Sequence, residues 1–444
     1  MARRGQRMGQ SRSVTDRAMA KASWRIVPVL GLGYLCSYLD RINVSFAATQ
    51  MNLDLGFSAT VYGLGGGLFF LTYALLEIPS GMVMPRFGAR RWIVRIMISW
   101  GVISMGMMFV RTPVHFYIMR LLLGAAEAGF WPTCMFYLSS WFPAAHRGRA
   151  ISRYYCFYGV SSIVGGTLSA WLLGLDGAAG LRGWQWLFLL EGLPTVMLGI
   201  AMYWLLPDSP ETSRWLKDDE RNWIVGELAA ENDRLAGGKR PHVLRALQDP
   251  RVLELAAIGC LTIGGSIGFA LIAPQVLMTG TGWNVQHVGY LISCGGLMTV
   301  LGMLASGWHS DRLGGRFGHL FFSMILVAAC YAVMALANAP ALLVAGYLAM
   351  MFCWPAVTLS TNLVATEVVA CRMVPVAVAA INTFSQLGAF GVPVLWGMSK
   401  DATGSYHVGL TLVPLLFLAS AGIVMHLRYQ VRRSETPVAA AVAA

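Results

Sequence analysis

Twelve mostly apolar runs of about twenty residues or more, joined by short polar connections, dominate this chain of 444 residues. A helix of roughly 20 apolar residues crosses a bilayer, so the runs predict an all-α integral membrane protein with twelve transmembrane helices. The expected spans are 24–47, 57–80, 91–110, 114–139, 149–173, 184–206, 252–279, 286–308, 318–338, 341–365, 374–399 and 406–428. Only 12% of residues are charged, against roughly 25% in soluble proteins, which argues against a soluble enzyme. The run from Trp24 to Ala48 is too long for a cleaved leader and ends on Asp40-Arg41, so it reads as the first span.

A formal net charge of +12 invites a nucleic-acid partner, but the basic residues lie mostly between runs. With the amino terminus inside, twenty Lys and Arg fall on inner segments and tails, against Arg111, Arg182 and Lys400 outside. Inner loops collect positive charge, so both termini are expected in the cytoplasm of a multi-pass inner-membrane protein. No nucleic-acid partner is needed. The eight cysteines form no CxxC pair, the histidines no HExxH, and Gly238-Lys239 lacks a phosphate-binding loop. No cofactor, metal or catalytic chemistry is therefore expected.

One long polar stretch, 207–251, carries nine acids and eight bases and reads as a solvated, partly helical linker. It divides the chain into a basic tail (1–23), a six-helix bundle (24–206), the linker, a second six-helix bundle (252–428) and a tail (429–444). An internal repeat supports the division: Gly81, Arg86 and Gly88 after span two recur as Gly307, Arg312 and Gly314 after span eight, with Asp311 preceding the second arginine. Such repeats mark transporters whose halves rock about a site at the bilayer midplane. Gly81, Arg86, Gly88, Asp311 and Arg312 are the expected gating-loop residues.

Charges inside a span cost about 2.5–3.5 kcal/mol on insertion scales, so each needs a partner, a water-filled path or a role. The candidates are Asp40, Arg41, Glu77, Arg120 and Glu127, with Glu367 near the end of span ten; Asp40 and Glu127 read as the only acids well inside the first bundle. On span one, Tyr34, Ser37, Tyr38, Arg41 and Ser45 share a face, with Asp40 about 100° away. On span four, Arg120, Gly124 and Glu127 share another. Glu77, near the inner end of span two, is expected at the interface or in a helix contact. Tyr154, Tyr155 and Tyr158, then Thr358, Thr361 and Asn362, then Asn382, Ser385 and Gln386 form further polar stripes. These stripes are compatible with helix-to-helix bonding or a hydrophilic path.

Five stretches carry a resemblance: Tyr38-Leu-Asp40-Arg41-Ile-Asn43; Arg120-Leu-Leu-Leu-Gly124-Ala-Ala-Glu127-Ala-Gly129; Ser140-Trp141-Phe142-Pro143 with Arg147-Gly-Arg149; Gly183-Trp184-Gln-Trp186-Leu-Phe188; and Leu206-Pro207-Asp208-Ser209-Pro210. In these the chain resembles the anion:cation symporter family of the major facilitator superfamily. That group contains bacterial tartrate, phthalate, hydroxyphenylacetate and sugar-acid permeases. The resemblance implies a twelve-helix major facilitator fold and proton-coupled uptake of an organic anion. It implies that Asp40 and Glu127 couple protons, that Arg41 meets the substrate carboxylate and that Arg120 interacts with Glu127. Tyr38, Tyr73, Asn362 and Asn382 align with site-lining positions, and Tyr158 joins them from its stripe. Pro85 stands where the family's gating loop has an acid, and Thr133 where a glycine usually follows Pro132.

The expected function is a secondary active transporter, working as a monomer in the bilayer, that imports a carboxylate with protons. Its rivals are a proton antiporter expelling amphipathic compounds and, further off, a membrane sensor or enzyme.

Overall fold

The computed structural model describes residues 2–236, 249–313, 316–368 and 374–443; side chains are described from residue 14 on, except at 234–236, 310, 311, 313, 362, 366, 367, 374–380, 432 and 434–443. Its helices are α1 (Ala2–Leu55), α2 (Ala59–Phe87), α3 (Ala89–Gly106), α4 (Pro113–Glu127), α5 (Phe130–Ser139), α6 (Ala144–Leu173) and α7 (Gly183–Leu205). A linker helix α8 (Asp218–Ala236) follows, then α9 (Pro250–Thr281), α10 (Val285–Leu313), α11 (Arg316–Ala335), α12 (Pro340–Val368), α13 (Val374–Thr403) and α14 (His407–Ala443). The fold is all-α. With α4 and α5 taken as one unit, ten spans are long and apolar enough to cross a membrane by length and composition; α1 and α13, with their polar stripes, are not among the ten.

Helix ends follow local chemistry. Ser58 caps α2 by accepting from the Val61 amide, Thr112 caps α4 from His115, and Asp249 caps α9 from Arg251. Pro113 and Pro250 open their helices where a missing N–H costs nothing. α1 runs without a break from the basic segment into the first span. The crossing expected at 114–139 is one span of two helices: Ala128 leaves the helical region and Gly129 takes φ +89°, a left-handed conformation open to glycine, while Pro132 sits in the first turn of α5.

The linker helix is tied to the first bundle. Lys21 Nζ donates to both oxygens of buried Glu220 at 2.8 and 2.7 Å, and Arg147 Nη2 donates to Glu231 at 2.9 Å. Burial opposes the Glu220 charge, yet the bonds from Lys21 and the Lys217 amide outweigh it and hold the carboxyl below its usual range.

The two halves meet through α2 on α13, α6 on α10 and α1 on α9. Among the described residues, several of these contacts lie at the face bearing the α1–α2 connection. There Asp401 of α13 accepts from the Ala59 and Thr60 amides at 3.0 and 2.8 Å, capping α2 from the opposite half. Tyr62 donates to the Leu271 carbonyl at 2.7 Å, and the Thr167 amide donates to Ser293 Oγ at 3.0 Å. Gly63 lies so close to the Pro393 carbonyl, and Gly166 to that of Gly289, that a methyl group at either would collide with backbone. At the opposite face nothing lies within 4 Å of the Cβ that Gly81 or Gly307 would carry. The protein is thus sealed on one side.

Overpacking such a contact costs about 1–3 kcal/mol. Gly63→Ala is therefore expected to weaken the seal and expose a Leu271→Cys reporter, placed in a background without the native cysteines, to an impermeant thiol reagent. Unchanged labelling would show that the α2–α13 contact does not close this face.

Candidate functional site

The site forms where α1 passes the end of α4. Because α4 stops at Glu127, that carboxyl sits at a helix terminus and turns toward α1. Arg41 Nη2 donates to Glu127 Oε1 at 2.8 Å and Arg41 Nε at 3.2 Å, while Ser37 Oγ, one turn earlier on the same face of α1, donates to that oxygen at 2.8 Å. Glu127 Oε2 is buried without a hydrogen-bond partner. The pair is unequal in exposure: the Glu127 side chain is 1% exposed and the Arg41 side chain 23%.

Aromatic rings surround the guanidinium, with its carbon 5.5 Å from the Tyr38 ring centre, 5.2 Å from Tyr73 and 5.7 Å from Phe69. Such faces stabilise a cation without consuming its N–H donors. Tyr158 extends the wall, its ring meeting Tyr38 edge-on at 4.4 Å. Arg41 therefore offers a partly exposed planar cation suited to a carboxylate.

Tyr38, Arg41, Tyr73, Glu127 and Tyr158 thus come together. Others lie elsewhere. Arg120 is not hydrogen-bonded to Glu127. Its Nε and Nη2 donate to the Gly65 and Gly66 carbonyls at 3.2 and 3.3 Å, and its charge reaches Glu127 and Asp40 only through space. Arg41 already occupies Glu127. Asp40, one residue and about 100° from Arg41, faces away from it. It accepts from Asn43 Nδ2 at 3.2 Å and from the Ser104 hydroxyl of α3.

Glu77 is buried and takes both Asn382 Nδ2 bonds, at 3.0 and 2.9 Å, across the two halves. Of the two expected placements it adopts the helix contact, and it is not at the interface. The side chain of Asn362 and that of Asp311 lie outside the described side chains, as does Glu367. In the first gating loop Arg86 is exposed and Gly88 turns the chain between α2 and α3 with φ +82°. In the second, the Arg312 guanidinium lies 4.0 Å over the Trp308 ring.

One acid escaped the sequence reading. Glu191 of α7 is buried, 8% exposed, and accepts from Ser169 Oγ at 3.0 Å. Asp40 and Glu127 are therefore not the only acids well inside the first bundle. The signal was present, since residue 191 lies within the apolar run 184–206. Among the described residues no cluster of His, Cys, Asp or Glu is arranged to hold a metal.

A sequence-family model, described as Major Facilitator Superfamily, matches residues 30–393. The chain belongs to the Major Facilitator Superfamily. Among its relatives is a protein of Agrobacterium vitis named "Putative tartrate transporter", 38% identical over 91% of this chain and 90% of that one. Another is the "Quinolone resistance transporter" of Acinetobacter baumannii, 33% identical over 89% of this chain and 91% of its own length. Among solved structures, a bacterial homolog of the human lysosomal transporter Spinster, inward-facing and occupied, has the same fold with a TM-score of 0.75. It is 16% identical, covering 91% of this chain and 96% of that one. This member of the superfamily is a multi-pass membrane transporter, and its relatives are transporters, not enzymes.

Proposed function

We propose that this transporter imports an organic anion, a carboxylate such as tartrate, an aromatic acid or a sugar acid, together with protons, across the inner membrane, both termini cytoplasmic. The observation carrying this reading is the Arg41–Glu127 pair, in which the cation is partly exposed and its counter-ion is shut away from solvent. A proton arriving from outside neutralises Glu127, removes its claim on Arg41 and leaves the guanidinium to pair with the carboxylate of the cargo. Once cargo leaves to the cytoplasm and the proton follows, Glu127 recovers its charge and its bond to Arg41. Each cycle then moves anion and proton in the same direction, while the halves rock between outward and inward access. Asp40 supplies a second acid, and Tyr38, Tyr73 and Tyr158 shape the cargo space. Arg120 holds the α2 backbone beside it, Asn382 and Glu77 join the halves, and Asn362 is proposed as a site-lining residue.

A second reading has support from the quinolone-resistance relative: export of amphipathic compounds in exchange for protons. The same acid would serve it, but a cargo without a carboxylate has no use for the partly exposed guanidinium.

Proteoliposome flux separates the two. For the import reading, labelled mono- and dicarboxylates accumulate when the outside is acid, and a protonophore abolishes the accumulation. Accumulation that survives the protonophore and requires sodium replaces the coupling ion. Transport of a fluoroquinolone against the proton gradient, with no carboxylate taken up, favours export.

A further inference from the structure

Counting the charges inside the first bundle leaves it short of cations. Arg41 and Arg120 face four buried or nearly buried acids: Asp40, Glu77, Glu127 and Glu191. Glu127 has Arg41, and Glu77 has the Asn382 amide across the halves. Asp40 and Glu191 have no cation in contact. Each has a bond from a neutral hydroxyl, Ser104 to Asp40 and Ser169 to Glu191, and each keeps one oxygen, Asp40 Oδ2 and Glu191 Oε2, buried without a partner. Asn43, 1% exposed, stands between them, bonding Asp40 through Nδ2 and lying within side-chain reach of Glu191.

A buried carboxylate without a counter-ion is costly enough that such a group takes a proton instead. Two of them close together cannot both ionise readily. We infer that Asp40 and Glu191 form a second proton-binding site behind the Arg41–Glu127 pair, sharing one proton across Asn43. Every element packed against Glu191 fits this. From α1 it meets Cys36, Asp40 and Asn43; from α6, Ser169; and α3 brings Ser104 to Asp40. Arg120 acts on Asp40 through space and is committed to the Gly65 and Gly66 carbonyls. The Asp40 backbone adjoins that of Arg41, so a change of protonation at the rear site is felt one peptide unit from the cargo cation. The shared proton joins the acid pair when the outside is acid and leaves to the cytoplasm in the same cycle.

This role rests on the proton-coupled reading, but its test does not. Infrared difference spectra of the purified protein in liposomes, recorded across a pH titration without cargo, report protonated buried carboxyl groups directly. Expected in the wild type is a carboxyl band that titrates. Glu191→Gln removes one acid of the pair, so the remaining band shifts. Asp40→Asn alters the same band. Glu191→Asp, which keeps an acid on α7, retains a titrating band at altered frequency, and it carries the test should Glu191→Gln fail to insert. A wild-type spectrum with no such band, or one unmoved by these substitutions, overturns the shared site, because a carboxyl that merely braces α7 against α6 would not shift its neighbour. Failure of tartrate to accumulate in the same liposomes, with the shared band present, would count against the import reading and leave the acid pair standing.

Discussion

Arg41→Lys should insert normally and lose most carboxylate transport. In the resting pair the arginine already uses two N–H groups, Nε and Nη2, on one oxygen of Glu127. Both become available in a parallel fork to a cargo carboxylate once Glu127 is neutral. An ammonium keeps the charge but cannot present that fork, nor stack flat on Tyr38 and Tyr73. One charge-assisted hydrogen bond is worth about 1.5–3 kcal/mol, which corresponds to a loss of roughly ten- to a hundredfold in affinity. The measurement is binding and uptake of labelled tartrate in proteoliposomes, beside the amount of protein inserted. Wild-type affinity in the lysine variant would remove Arg41 from the cargo site.

Glu127→Gln is expected to separate exchange from accumulation. The amide has nearly the shape of the protonated acid and can still accept from Ser37, but it cannot give up a proton. Arg41 is left without its counter-ion. Breaking a fully buried pair costs about 3–5 kcal/mol, and here the cost is smaller because the guanidinium is partly exposed. The variant should therefore fold, bind anion and exchange labelled for unlabelled cargo, while concentrative uptake falls to the level of empty vesicles. Loss of both fluxes with binding retained would assign Glu127 to the conformational cycle. Retention of both would place the coupled proton elsewhere.

Much of the architecture was legible because a bilayer imposes one rule at a time: a long apolar run becomes a helix, and the observed helices begin or end within a few residues of most predicted spans. The exceptions have causes that hydropathy does not register. The break after Glu127 turns on the backbone of Ala128 and Gly129, both apolar letters in an apolar run. The continuation of α1 into the basic segment is held by Lys21 on Glu220, a partner 199 residues away. At the site, periodicity placed Ser37, Tyr38 and Arg41 on one face of one helix, which is as far as spacing reaches. It could not say that Glu127 would take Arg41 while Arg120 went to the Gly65 and Gly66 carbonyls, because those are contacts between helices. Nor could it join Glu77 to Asn382, 305 positions apart. Glu191 was missed for a lesser reason, since an acid in the sixth apolar run met the same criterion as the others.

The closed face beside the α1–α2 connection is built largely from main chain: Gly63 against the Pro393 carbonyl, Gly166 against Gly289, and Asp401 on the exposed amides of α2. The proposed cargo space is built from side chains, those of Tyr38, Arg41, Tyr73 and Tyr158. Recognition and closure therefore draw on separate parts of the sequence. Substitutions at the tyrosines can retune which molecule is carried without rewriting the surfaces that seal it off. A gate specified by backbone shape is in this sense a fixed chassis, and a change of cargo becomes a short evolutionary walk through a few pocket positions.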